Sequence, residues 1–320
     1  MSAREQAGRS RPPTTACLCA AALSLLPGAG LAGELTASAT AELDQEGGWR
    51  LAAGLRGDIG AATRWDLGAS RSELEDDLSG LTTTRLDAGL RHRFGAVAVD
   101  ASLGWWQDED VVDALVYGGA VSYEGESFFA AVLLEQRRSD FEPFRVAGLI
   151  DLPNRDPVPV FATADCELDD TGTGAEAGWL GGGWYAAVDG MSYDYDAADC
   201  TFDAPVLDAL ARAGRRVFAQ LAGRIGQTLS RSAGFRLRAD NAFLDHRWGI
   251  QAGLERSASG YWLRYDRAEE RFQGLESQTL TLGLNLYRPA GTLLGVYAGV
   301  SDGDGFDTLA FVGFTADVPL

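Results

Sequence analysis

The stretch Thr279-Leu280-Thr281-Leu282-Gly283-Leu284-Asn285-Leu286 decides the fold. Successive Cβ atoms of a β-strand point to opposite faces, so the four leucines share one face and Thr279, Thr281, Gly283 and Asn285 share the other. A helix would mix the two sets around its circumference. The same period of two recurs outward in both directions. Trp248, Ile250, Ala252 and Leu254 alternate with Gly249, Gln251, Gly253 and Glu255. Val97, Val99, Ala101, Leu103 and Trp105 alternate with Ala98, Asp100, Ser102 and Gly104. Leu86, Ala88 and Leu90 alternate with Arg85, Asp87, Gly89 and Arg91.

These alternating segments run about ten residues, longer than the usual five or six of a soluble sheet and enough to cross a bilayer when tilted. Short turns such as Gly60-Ala61, Glu124-Gly125 and Pro289-Ala290-Gly291 alternate with longer acidic stretches at 72–81, 139–143, 197–214 and 267–277. A charge on a lipid-facing strand costs about 2–4 kcal/mol near the midplane, so the Leu/Val/Ala/Trp faces point to lipid and the Arg/Asp/Gly/Thr faces to a wet lumen. Only a closed sheet satisfies every backbone edge in hydrocarbon. The pattern predicts an all-β fold, a transmembrane antiparallel up-and-down β-barrel occupying 33–320 as one domain. Its strands are expected at 34–43, 48–59, 62–71, 82–94, 96–106, 111–123, 127–138, 144–152, 158–167, 173–181, 184–196, 215–229, 234–243, 246–256, 260–268, 278–288, 292–300 and 308–319. That makes 18, or 16 if the Pro-interrupted pair 144–152 and 158–167 is lost. Residues 204–213 are expected to form a short helix in a long extracellular loop, with Asp203 as cap, Pro205 in the first turn and Gly214 as stop.

Composition fits this reading and excludes others. The 320 residues carry 46 acids against 27 bases, every one of them Arg, for a net charge of −19. So acidic a chain does not suit nucleic acid. Its mean hydropathy of −0.08 excludes a bundle of membrane helices. Residues 1–32 read as a signal peptide: Arg4, Arg9 and Arg11, then an apolar run from Ala16 to Leu26, then Gly30-Leu31-Ala32 before a cleavage point. In the exported part, Cys166 and Cys200 are expected to form a disulfide between two outer loops.

Val312, Phe314, Ala316, Val318 and Leu320 alternate to the last residue. This resembles the terminal-strand signal of Gram-negative outer-membrane β-barrels in the broad porin-like sense, although that class usually ends in an aromatic residue where this chain has Leu320. The resemblance implies a place in the cell outer membrane among lipid and lipopolysaccharide. It also implies insertion by the barrel assembly machinery and passage of small hydrophilic solutes or ions. The alternatives are an export or assembly barrel working with a periplasmic partner and, further off, a barrel-type hydrolase. The candidate lumen-lining residues are Arg85, Asp87, Arg91, Arg224, Arg236, Arg238, Asp240, Arg264 and Asp266. No cofactor, metal or catalytic constellation is expected. The only histidines are His92 and His246, and the Asp302-Gly303-Asp304 run lacks the closing Glu of a calcium loop. The oligomeric state is left open by the sequence.

Overall fold

In the computed structural model, the described residues are 35–74, 81–108, 112–150, 158–196, 199–202, 243–271, 274–288, 291–304 and 306–320. They form β1 (Leu35–Asp44), β2 (Trp49–Ile59), β3 (Thr63–Leu74), β4 (Leu81–Phe94), β5 (Val97–Asp108), β6 (Val112–Glu124), β7 (Phe128–Ile150) and β8 (Val158–Gly181). These are followed by β9 (Trp184–Tyr195), β10 (Asp199–Phe202), β11 (Leu244–Glu255), β12 (Ser259–Glu270), β13 (Glu276–Tyr287), β14 (Leu293–Gly303) and β15 (Phe306–Pro319). Each strand pairs antiparallel with its neighbour. The sheet closes because β1 pairs with β15 and β9 pairs with both β8 and β11. Fourteen strands make the ring; the fifteenth, β10, is a four-residue addition on the edge of β8.

The strand number is therefore 14 rather than 16–18, for two physical reasons. The expected pairs 127–138 with 144–152 and 158–167 with 173–181 are two continuous strands, β7 and β8, of 23 and 24 residues. Their middles look like acidic loops, but β7 leaves β6 at Phe141 and continues paired with β8 as a hairpin, Ile150 reaching Val158. The outward face of the described part of this stretch carries Arg138, Asp140, Asp165, Glu167 and Asp169, which suit water and not lipid. The expected strands 215–229 and 234–243 fall almost wholly outside the described residues, as does the helix expected at 204–213. The ring is complete without them, since β9 joins β11 directly from Trp184↔Leu254 to Ser192↔His246.

The outward faces carry the apolar alternation. Leu51, Leu67, Leu86, Leu90, Leu103, Val132, Val188, Ile250, Leu263, Leu282 and Phe314 are all exposed large hydrophobics. On β4 this face runs from Leu86 to Phe94. Nine residues at about 3.4 Å, tilted by roughly 40°, give an apolar band about 23 Å high. Aromatic residues border it, with Phe94, Tyr123, Trp179 and Trp184 at the short-turn end. Among the described residues no helix is long and apolar enough to cross a membrane; the crossing segments are strands.

The inner wall explains the glycines of the polar faces. Trp262 lies over Gly283 on the next strand, and Tyr297 lies over Gly313, so closely that an added Cβ at either glycine would overlap the ring. Small residues on one strand thus let large rings lie flat against the wall instead of standing across the lumen.

Candidate functional site

The inward faces carry charge, and much of it is ion-paired. On β4, Arg85 donates through Nε to both oxygens of Asp87, at 2.8 and 2.9 Å. Nearer the short-turn end, Arg91 meets Asp100 at 3.3 Å and also Glu124, which in turn holds Arg93. On the far wall, Arg264 of β12 bridges Asp189 of β9 at 3.0 Å and Asp266 of its own strand at 2.6 Å. The structure thus places Arg85, Asp87, Arg91, Arg264 and Asp266 on the inward faces and gathers them into separate clusters on opposite walls. Arg224, Arg236, Arg238 and Asp240 lie outside the described residues.

Toward the outer end the interior changes character. Trp106 of β5 and Phe243, which immediately precedes β11, are each 1% exposed and meet with ring centroids 6.2 Å apart. Phe141 of β7 stacks on Phe243 at 5.6 Å. The guanidinium of Arg137 sits over the Phe243 ring at 4.7 Å. Arg137 is itself buried, its side chain 4% exposed, and its Nε donates at 2.7 Å to Asp170, which is fully buried. Tyr195 ties the arrangement to β11: its hydroxyl accepts from Arg137 at 3.2 Å and donates to the Leu244 carbonyl at 2.7 Å.

A cavity of about 60 Å³ adjoins this layer, lined by Arg85, Trp106, Glu135, Arg137, Tyr193 and Arg247 among others. From β4 to β11 the ring runs six strands one way and eight the other, so Arg85 and Arg247 come from nearly opposite walls. Side chains therefore span and pack the outer half of the interior at this height. This is a tighter interior than a strand count of 16 or more would leave.

The sequence reading missed Trp106, Arg137, Asp170 and Phe243. Parity could have found the first. In the tandem Trp105-Trp106, one ring must face lipid and the other the lumen. Arg137 and Asp170 lie in stretches taken for a strand end and a loop, and Phe243 was assigned to a strand.

Other candidate chemistry is spent on the fold. At the outer rim His246 Nδ1 lies 3.5 Å from Asp245 and 3.7 Å from Glu269. Arg271 takes Asp245 at 2.6 Å, and that hydrogen bond holds the Asp245 carboxyl below the usual carboxylate range. Asp302 accepts from the Thr308 hydroxyl at 2.7 Å, and Asp304 accepts from the Glu276 amide at 3.3 Å. Among the described residues no group of three or more His, Cys, Asp or Glu converges as a metal site. Cys166 is disulfide-bonded, and Cys200 lies directly opposite it in the β8–β10 register.

A closed antiparallel ring, apolar outside and charged within, defines a transmembrane β-barrel. No protein-family model and no curated protein matches the sequence. Solved structures similar in fold include the following three. OpdK of Pseudomonas aeruginosa with vanillate is 7% identical, with 90% of this chain and 98% of that chain covered and a TM-score of 0.39. OpdL of the same organism is 10% identical over 90% and 98%, with a TM-score of 0.40. OmpT of Vibrio cholerae is 9% identical over 90% and 97%, with a TM-score of 0.42. The functional reading below stands on this chain's own residues.

Proposed function

We propose that the protein is an outer-membrane channel, porin-like in the broad sense, that passes small hydrophilic solutes or ions. In this reading residues 1–32 are removed on export, the barrel assembly machinery inserts the rest, and lipopolysaccharide surrounds the outer rim. The observation that carries it is the inversion of faces. Exposed Leu86 and Leu90 alternate with inward Arg85, Asp87 and Arg91 on one strand, and the ring is closed. Lipid tolerates the first set, and only water or ion partners tolerate the second.

Fourteen strands lie between the eight whose interior fills with side chains and the 16 to 18 of open porins. The Trp106–Phe243 contact narrows that interior further, so small conductance steps are expected. Each of the facing walls carries ion pairs of both signs, so a passing solute meets charge without a strong trap. The chain's role is passage, with no catalysis assigned to it. The test is single-channel recording of the purified chain lacking 1–32 in planar bilayers. Discrete steps are the expected result. No current from that chain, and none from a Phe243→Ala variant, would refute the channel and favour a sealed export or structural barrel.

A further inference from the structure

Two arginines at the short-turn end stand apart from the ion pairs of the interior. Arg256 follows β11 and closes its hairpin with β12: its amide donates to the Ser259 carbonyl at 2.8 Å, and the Ser259 amide donates back at 3.3 Å. Arg288 follows β13, and its amide donates to the Thr292 carbonyl at 2.8 Å. Strand parity puts both on the lipid side, Arg256 two positions beyond Leu254 and Arg288 two beyond Leu286. Leu254 pairs on that face with Trp184 and with Tyr261, both exposed, and Ser259 pairs with Leu286. Both arginines are exposed, and among the described residues neither guanidinium has an ion pair or a hydrogen bond. Glu255, beside Arg256 in sequence, takes the opposite face and accepts from the Tyr287 hydroxyl at 3.3 Å. In a chain of 46 acids and 27 bases, these two neighbouring hairpins thus carry cations outward with no acid opposite them in the register.

We propose that Arg256 and Arg288 hold the phosphate of an anionic phospholipid in the periplasmic leaflet, with Trp184 and Tyr261 packed against the same lipid. Short turns mark the periplasmic end of such a barrel. One two-residue step on a tilted strand carries Arg288 about 5 Å beyond Leu286 along the membrane normal, from the edge of the hydrocarbon into the headgroup layer. The two Cα atoms lie on strands two spacings apart, about 12 Å on the diagonal, a span that two long side chains close on one phosphate. Arginine forks donate to phosphate oxygens in pairs. Exposed Trp and Tyr rings favour the level between acyl chains and headgroups, so the apolar and charged parts of one lipid meet matching residues. The inference rests on the place of the barrel in the outer membrane and not on conduction.

The experiment is native mass spectrometry of the chain lacking 1–32, in detergent with dimyristoyl phosphatidylglycerol and dimyristoyl phosphatidylcholine at equal concentration. The expected result is retention of phosphatidylglycerol at least fivefold over phosphatidylcholine. The double variant Arg256→Gln with Arg288→Gln should bring that ratio below twofold. Arg64→Gln, which removes an inward arginine paired with Asp58 at 3.1 Å, should leave the ratio unchanged. Heat-modifiable mobility in gels reports that each variant still forms the barrel. Equal retention of the two lipids, or an unchanged preference in the folded double variant, would overturn the proposal. Displacement of the lipid by a tenfold excess of glycerol phosphate would overturn it too, since the site would then take a free phosphate ester. Dimers that the double variant loses would assign the rim to a second copy, with the same consequence. A barrel that retains phosphatidylglycerol yet conducts nothing overturns the channel reading alone; one that conducts without lipid preference overturns the lipid site alone.

Discussion

Replacing Arg137 by Met leaves Asp170 as an uncompensated charge in a packed layer. Asp170 is fully buried, accepts at 2.7 Å through Oδ2 from Arg137, and has no partner for Oδ1. Breaking a buried pair by removing one member costs about 3–5 kcal/mol, because the other charge stays desolvated. The guanidinium also lies 4.7 Å from the Phe243 centroid and 6.0 Å from that of Tyr193. The loss of these cation–π contacts adds about 1–2 kcal/mol at a desolvated site. Met returns part of the packing through its flexible apolar stem. The expected net loss is about 4 kcal/mol. The double variant Arg137→Met with Asp170→Leu removes both charges, so about 3 kcal/mol should return. Equilibrium urea unfolding in detergent, followed by tryptophan fluorescence, measures the wild type, the two single variants and the double variant as a cycle. If the two substitutions destabilise additively, so that Asp170→Leu costs as much in the Arg137→Met background as alone, the pair is not coupled and the reasoning fails.

Three further outcomes are expected. Phe243→Ala removes the ring between Trp106 and Phe141 and should raise single-channel conductance severalfold while costing about 3–5 kcal/mol of stability; an unchanged conductance would show that this layer does not set the narrowest point. Gly283→Ala pushes a methyl group into the Trp262 ring and should cost about 1–3 kcal/mol, whereas Gly68→Ala, whose nearest neighbour would stand at 3.8 Å, should be near neutral; equal unfolding midpoints for both would refute the ring-over-glycine account. Peptide mapping without reductant should recover Cys166 joined to Cys200. Reduction should cost about 4 kcal/mol for a loop of roughly 35 residues, and separate peptides would exclude the bridge.

The fold was legible where lipid enforces it. Inside the apolar band outward positions are apolar, His92 near the short-turn end of β4 excepted, so Leu280 to Leu286 could be assigned to a face before any contact was known, and the register bears the assignment out in Leu282↔Ala298 and Leu282↔Leu263. The signal ends where the lipid ends. Ser139, Asp140, Leu168 and Asp169 continue the ladder of β7 and β8, with Ser139 and Leu168 buried and Asp140 and Asp169 exposed, but here the outward face meets water instead of lipid, so an acidic strand looks like an acidic loop. Losing that boundary split two strands into four. The expected strands 215–229 and 234–243 lie almost wholly outside the described residues, and the ring closes without them. Alternation is necessary for a lipid-facing strand but does not by itself count the strands of a ring; the direct β9–β11 pairing decides that the wall is complete.

The interior was legible in kind but not in arrangement. Parity alone sends Arg85, Asp87 and Arg264 inward, because the opposite face is committed to lipid. Which cation meets which anion depends on ring closure and on long-range register, and neither is written in any local stretch. Arg264 finds Asp189, 75 positions earlier, only because β9 and β12 flank β11. Trp106 and Phe243 meet across a still larger gap in sequence, and Phe243 does so from outside any strand. A lumen's charge can therefore be read from sequence, since it follows from which face each residue takes. Its width is set by the few large side chains that cross it, and their meeting is a property of the closed ring.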